Sequence, residues 1–258
     1  MAKIESIDWV AERVGRSGFL LIDPRRPMKY LSGHLPGAIN LPVYRAFGAD
    51  GRLLDAESLA GWIGGAGFGS GLVPIIYDSP EGQNAAMLAW ILEYLGCTEI
   101  HVMEAFFENW KAAGREVLYK PVEDSAKKLA IKPNRSIRAT LDELREANGV
   151  SFVDFRSVEE FQGEKTLGDD RPGHIPGAAN IVWRDLGMGI EHLLKPGAEL
   201  ARAFDTARIK PGDKLIAYCR SGPRAALGYL ALRQMGYDAR LFDGSFAEWS
   251  RAGLPVEK

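Results

Sequence analysis

The sequence predicts an α/β protein of two tandem domains, each a parallel sheet flanked by helices. The first observation is an internal repeat, because GHLPGAINLP at 33–42 returns as GHIPGAANIV at 173–182. The second is that short apolar runs alternate with helical patterns in both halves of the chain. Runs that are apolar on both faces and lead into a helix are typical of a parallel sheet covered by helices.

Three further signals keep their order in both halves. Asp-x-Arg closes an apolar run at residues 23–25 and again at 154–156, VPIIYDS corresponds to KLIAYCR, and FFENWKAAG corresponds to SFAEWSRAG. The patterns predict strands at 19–22, 73–77, 150–155 and 215–218, and helices at 85–95 and 225–235.

The repeat also predicts where the chain divides. We expect a first domain at 1–115, a linker at 116–134 that is rich in charge and proline, and a second domain at 135–258. The second half has nine more residues between its Asp-x-Arg aspartate and its GHIPGA segment than the first half has. The polar stretch 163–172 inside this insertion is expected to be a surface loop.

Composition narrows the classes of function. The chain is 46% hydrophobic and 26% charged with a net charge of −2, which is typical of a globular protein and argues against nucleic-acid or membrane-surface binding. No signal segment and no long apolar run is present, so we expect a cytoplasmic protein. The two cysteines, Cys97 and Cys219, fall in different halves, which predicts no disulfide, and no zinc-binding spacing occurs.

The two copies act as controls for each other, because features found in only one are candidates for function. After the fourth apolar run the first copy reads YDSPEGQ, whereas the second reads YCRSGPR. A loop between a parallel strand and its helix is where such sheets bind ligands. The candidate site residues are Cys219, Arg220, Ser221, Gly222, Pro223 and Arg224.

This loop predicts a nucleophilic thiol in a cradle for an anion. Gly222 permits unusual backbone angles, Pro223 suits the first helical turn, and Arg220 and Arg224 add positive charge. Cysteines at helix N-termini beside arginine have pKa values of roughly 3.5 to 7.5. The alternative is that Cys219 is a buried structural residue. Cys97 lacks basic neighbours and is predicted to be structural.

Residues present in both copies are predicted to support the fold. His34 and His174 occupy the same place in their copies, which favours a role in the turn. Asp154 and Arg156 repeat an earlier Asp-x-Arg pair, and we expect them to brace the loops around the site without reacting.

Four features of the sequence resemble those of one protein family: the duplicated Asp-x-Arg, the GH(I/L)PGA segments, the strand followed by a cysteine loop, and DGSFAEW at 243–249. The family that they resemble is the tandem rhodanese. In that family the second domain is catalytic and the first has lost its cysteine, which corresponds to Asp78 here. The resemblance implies a sulfurtransferase that moves sulfur from an anionic donor to cyanide or a thiol, including a protein thiol, through a persulfide on Cys219. It implies neither a metal nor an organic cofactor.

The sequence indicates the sulfur donor less clearly than it indicates the family. Members that use thiosulfate or 3-mercaptopyruvate are expected to have arginine six residues after the Asp-x-Arg aspartate, where this chain has Glu160. The arginine directly after Cys219 resembles the thiosulfate type and favours thiosulfate, with 3-mercaptopyruvate as the alternative.

Two other functions would also use a loop of this kind. A related phosphatase would need Cys-x5-Arg, whereas Cys219 and Arg224 are spaced as Cys-x4-Arg, which should be too small for phosphate. A persulfide carrier or regulatory binding module that turns over no small molecule is compatible with the sequence, and the acidic loop at 78–81 could then dock a partner.

Overall fold

The computed structural model describes residues 1–122, 125–146 and 149–258. The chain forms two compact units. The first unit comprises Met1–Asn134 and Met188–Leu193, and the second comprises Arg135–Gly187 and Leu194–Lys258. None of the helices in the described ranges is both long and apolar enough to span a membrane.

The first unit is a parallel five-stranded sheet flanked by helices. Its strands lie in the order β1-β5-β4-β2-β3. The elements in chain order are β1 (Lys3–Glu5), α1 (Ile7–Ala11), β2 (Phe19–Asp23), α2 (Pro27–Leu31), β3 (Ile39–Asn40), α3 (Ala56–Gly65), β4 (Val73–Ile76), α4 (Gln83–Tyr94), β5 (His101–Met103) and α5 (Phe107–Ala112).

The second unit repeats this plan with a parallel sheet of order β7-β6-β8-β9. Where the first unit has β1, the second has one parallel bridge between Arg138 and Leu241. The elements are α6 (Leu141–Arg145), β6 (Ser151–Asp154), α7 (Val158–Phe161), β7 (Ala179–Asn180), α8 (Gly197–Thr206), β8 (Lys214–Tyr218), α9 (Pro223–Gln234), β9 (Asp238–Leu241) and α10 (Ser245–Arg251).

The predicted fold of two tandem domains with helix-flanked parallel sheets is confirmed. The central strands and the long helix of each unit begin and end within two residues of the predicted positions. The predictions did not include the short strands β1, β3, β5, β7 and β9, because a run of two to four residues carries little periodicity.

Burial explains why β8 and α9 hold the predicted site in place. Residues 215–218 of β8 and 225–232 of α9 are almost all buried, so both elements belong to the core. Gly228 lets α9 lie directly on the ring of Phe155, since a Cβ at this position would be 2.3 Å from the ring. The start of α9 is thereby fixed relative to the end of the sheet.

The predicted linker, residues 116–134, lies along the first unit wherever the structure describes it. The N–H groups of Lys127 and Lys132 donate to carbonyls of the first unit, each at 2.9 Å, and Leu129 is buried. Glu123 and Asp124 lie outside the described residues. The domain limits at 115 and 135 stay predictions.

Candidate active site

Cys219 lies between the carboxyl end of β8 and the start of α9, and it is 1% exposed. Its N–H donates to the Ser245 hydroxyl at 3.2 Å, and its carbonyl accepts from the N–H of Phe246 at 3.0 Å. Both main-chain groups are therefore held by the start of α10. The backbone of Cys219 is fixed independently of any ligand.

The sulfur of Cys219 receives a hydrogen bond from its own loop. The N–H of Gly222 donates to Cys219 Sγ at 3.1 Å, and Gly222 has a φ of 105°, which favours glycine. The loop then enters α9 at Pro223, a residue suited to the first helical position. Hydrogen bonds and the positive end of the helix favour negative charge on a group placed there.

Arg224 forms a bidentate ion pair with Glu160. Its two terminal nitrogens lie 2.6 and 2.9 Å from the carboxylate oxygens. Burial opposes both charges, but the Arg224 hydrogen bonds outweigh it and hold the pKa of Glu160 below its usual value. In the same way burial is outweighed by the bonds to Glu160, and the pKa of Arg224 is raised. The Arg224 guanidinium is therefore held in its charged form, and a negative charge on Cys219 would stabilise it further.

Arg220 points to the insertion that is found only in the second half. Its Nε lies 3.2 Å from the carboxylate of Asp169, and its terminal nitrogen donates to the carbonyl of Leu167. The insertion is also fixed at its far end, where Arg171 donates from its main chain to the Ser250 hydroxyl at 2.8 Å. Arg220 therefore links the cysteine loop to the insertion.

The remaining loop residues contribute through position. Ser221 is exposed, and Pro223 is half-buried in the first turn of α9. The structure thus brings Cys219, Gly222 and Arg224 together at the helix start, whereas the guanidinium of Arg220 is turned to the insertion.

Asp154 and Arg156 form a buried ion pair behind the site. The guanidinium binds both carboxylate oxygens at 2.6 to 3.0 Å and also donates to the carbonyl of Gly173 at 2.7 Å. Arg156 lies over the ring of Phe246, 3.9 Å from its centre. The pair therefore connects the end of β6 with the GHIPGA turn and with α10.

The first unit contains the same brace without the cysteine. Arg25 binds both carboxylate oxygens of Asp23 and donates to the carbonyl of Gly33 at 2.8 Å. His34 and His174 each bond through Nδ1 to a carbonyl, at 3.0 and 2.9 Å. The repeated residues make repeated contacts in the two units.

Asp78 stands in the first unit where Cys219 stands in the second. One carboxylate oxygen accepts the N–H groups of Asn84 and Ala85 at 2.9 and 3.0 Å, and the other accepts that of Ser79 at 2.8 Å. Burial raises the pKa of Asp78 to about 6 in spite of these bonds. The start of α4 is thus occupied by a side chain of the same unit.

Ser245 was not among the predicted site residues. It is fully buried with a φ of 54°, and its hydroxyl accepts from Cys219 and donates to the carbonyl of Phe242 at 2.8 Å. A signal was present, because the first copy has Phe106 at the corresponding position. Non-glycine residues with positive φ are uncommon and concentrate at functional sites.

Cys97 differs from Cys219 in its surroundings. It is a free cysteine in the first unit, and burial raises the pKa of the Cys97 thiol to about 11. Within the described residues no group of three or more His, Cys, Asp or Glu is arranged to hold a metal ion.

The model of the rhodanese-like domain matches the chain twice, at residues 6–113 and 138–252. A Synechococcus elongatus protein provisionally named thiosulfate sulfurtransferase is 33% identical over 96% of this chain and 83% of its own length. The thiosulfate sulfurtransferase of Corynebacterium glutamicum is 27% identical over 99% of this chain and 90% of its own.

A solved structure gives the same fold. SseA from Escherichia coli, described as a 3-mercaptopyruvate sulfotransferase with the rhodanese fold, has a TM-score of 0.86 at 24% identity and covers 95% of this chain and 99% of its own. The chain belongs to the rhodanese family of sulfurtransferases. The predicted family is confirmed.

Proposed function

We propose that the protein transfers sulfane sulfur from an anionic donor, with thiosulfate favoured, to cyanide or a thiol through a persulfide on Cys219. The observation that carries this proposal is the hydrogen bond from Gly222 N–H to Cys219 Sγ at the start of α9. A thiolate in this place would be stabilised by the loop, by the helix and by Arg224. We also propose that the protein acts in the cytoplasm, as the sequence predicts.

The reaction has two displacements. The Cys219 thiolate attacks the outer sulfur of thiosulfate, the sulfur–sulfur bond of the donor breaks, and sulfite leaves with the bonding electron pair. Cyanide, or a thiolate, then attacks the terminal sulfur of the persulfide, so that thiocyanate or a new persulfide forms and the Cys219 thiolate returns. Covalent catalysis divides the transfer into two easier steps. No metal or organic cofactor takes part in either step.

The first unit supports a specific arrangement of the persulfide. In an aspartate the carboxylate oxygens are two bonds beyond Cβ, and in a cysteine persulfide the terminal sulfur is also two bonds beyond Cβ. Asp78 places one oxygen on the N–H groups of Asn84 and Ala85. The corresponding N–H groups in the second unit belong to Arg224 and Ala225, and we propose that they hold the terminal sulfur.

The other predicted residues have supporting roles in this proposal. We propose that the donor is bound by the loop that follows Cys219. This loop consists of Arg220, Ser221, Gly222, Pro223 and Arg224, and its residues either contact the donor or hold the backbone in shape. Asp154 and Arg156 brace the strand end and the GHIPGA turn without touching the reacting atoms.

The test is the intact mass of the protein before and after thiosulfate, and again after cyanide. Wild type should gain one sulfur atom that cyanide removes, and Cys219→Ser should gain none. Cys97→Ser is the matched control and should behave as wild type, because the half-buried Cys97 thiol has a pKa raised to about 11 and stays protonated near neutral pH.

The other outcomes separate the alternatives. A gain with 3-mercaptopyruvate and none with thiosulfate would show that the donor is wrong. No gain with either donor would contradict the transfer of sulfur from small molecules and favour a persulfide carrier or binding module.

A further inference from the structure

Both arginines of the cysteine loop are paired with carboxylates from the segment that follows β6. Arg224 pairs with Glu160, and Arg220 pairs with Asp169. In each pair the acidic side chain is the more buried, at 5% and 6% exposure against 19% and 30% for the arginines. The four side chains carry no net formal charge at neutral pH. A loop that looks strongly basic in the sequence is close to neutral in the structure.

The carboxylate of Glu160 is held where it stands. It lies in the first turn of α7, where its oxygen accepts the N–H of Ser157 at 3.3 Å while the Ser157 hydroxyl accepts the N–H of Glu160 at 3.3 Å. This capping box holds both the main-chain N–H and the side-chain carboxylate of Glu160. Glu160 therefore cannot move away freely when an anion approaches Arg224.

Arg224 can still bind a ligand while it is paired. A guanidinium has five N–H donors, and Glu160 accepts from one terminal nitrogen with each oxygen. Glu160 therefore uses two of the five donors, which leaves three N–H groups that can bind an anion. Such an anion is attracted by Arg224 and repelled by the carboxylate behind it.

We propose that Glu160 is a specificity-determining residue of the Cys219 site, whose fixed negative charge weakens the binding of dianionic sulfur donors more than that of monoanionic donors. This inference rests on the proposed function. Coulomb energy is proportional to the charge of the ligand, so thiosulfate, with two charges, is repelled about twice as strongly as a monoanion in the same place. Glu160 acts through charge and through Arg224, and it does not react with the donor.

The experiment compares thiosulfate with a monoanionic aryl thiosulfonate as donors for Glu160→Gln and wild type. Glutamine keeps the size of glutamate and an oxygen for the capping box. We expect the KM for thiosulfate to fall roughly three- to tenfold and the KM for the thiosulfonate by about the square root of that factor, with kcat almost unchanged. Glu159→Gln removes the same charge from the neighbouring exposed position and is expected to leave both KM values unchanged.

Two further variants separate charge from packing and from turnover. Glu160→Asp keeps the charge and should retain the wild-type preference between donors. The affinity of Cys219→Ser for thiosulfate can be measured by calorimetry, which needs no sulfur transfer. Adding Glu160→Gln to this variant should increase the affinity by the same factor by which it lowers the KM.

Three results would overturn the inference. A rise in KM, or an equal fall in kcat for both donors, would mean that Glu160 only holds Arg224 in position. Equal behaviour of Glu160→Asp and Glu160→Gln would mean that packing matters and charge does not. Unchanged calorimetric affinity would contradict the inference even if the proposed sulfur transfer itself failed.

Discussion

Asp78 and Cys219 follow corresponding strands of the two units and face the start of corresponding helices, but they receive different hydrogen bonds. Asp78 accepts two N–H groups from the first turn of α4, whereas Cys219 Sγ accepts one from the loop residue Gly222. The aspartate lies four residues before its N-cap glycine and the cysteine three. The first unit thus binds a negative group of its own at this point.

Asp78→Asn should change how stability depends on pH. Burial raises the pKa of Asp78 to about 6, above the value of about 3.9 expected in the unfolded chain. The folded state therefore binds more protons between these values, and stability falls as pH rises through them. Relative to Asp78→Asn, wild type should lose roughly 2–3 kcal/mol of unfolding free energy between pH 4 and 7. The measurement is urea unfolding of both proteins across this range.

Asp55→Asn is the control with the opposite sign. Hydrogen bonds from Ser58 hold the pKa of Asp55 below its usual value, so its contribution is present above the unfolded pKa and is lost as pH falls through the folded one. Parallel pH dependence of Asp78→Asn and wild type would contradict the role assigned to burial of Asp78. A constant offset between the two proteins would not, because only the change with pH is predicted.

Ser245→Ala and Ser245→Gly should separate the hydrogen bond from the backbone angle. Both lose the bond to the Cys219 N–H, so both should transfer sulfur more slowly, by roughly fivefold if the bond is worth roughly 1 kcal/mol. Only glycine adopts a φ of 54° without strain. We therefore expect Ser245→Ala to be less stable than Ser245→Gly by about 1 kcal/mol in denaturant unfolding. Equal stability of the two variants would show that this angle carries no strain.

Asp169→Asn should loosen the insertion of the second unit. The change removes the ion pair with Arg220, while the bond from Arg171 to Ser250 remains. Trypsin should then cleave after Lys165 several times faster, because local opening controls cleavage of a folded loop. Asp170→Asn, a change at the exposed neighbour, is the matched control. Cleavage at the wild-type rate in Asp169→Asn would mean that this ion pair does not restrain the insertion.

Gly228→Ala should destabilise the second unit by about 1–3 kcal/mol, because the new methyl group would overlap the ring of Phe155. Gly61→Ala in α3 meets nothing within 4 Å and should be neutral or slightly stabilising. Thermal unfolding of the two variants against wild type makes the comparison. Adding Phe155→Leu to Gly228→Ala should recover part of the lost stability. No recovery would mean that overlap with the Phe155 ring does not cause the destabilisation.

The fold was predictable because its main determinants are local and repeated. Apolar runs that lead into helices occur twice in the same order, and each copy supports the interpretation of the other. The loop from Cys219 to Arg224 was predicted as the candidate site for a related reason, since it differs between copies that otherwise agree.

The partners of the loop arginines were not predictable in the same way. Glu160 and Arg224 are 64 residues apart, and no local pattern indicates that they meet. Asp169 lies in an insertion without a counterpart in the first half, so the repeat offers no comparison. Ser245 depends on a backbone angle that residue type alone does not indicate.

The carboxylate at the start of α4 has a consequence for how each unit responds to its surroundings. The first unit contains its own anion, so salts and small metabolites have little to add to its stability at that point. The second unit has a cysteine there, and any anion that binds beside it must stabilise the folded state by an amount that grows with the logarithm of its affinity. Candidate donors, tested one at a time, could therefore be ranked by how far each raises the unfolding temperature of the second unit.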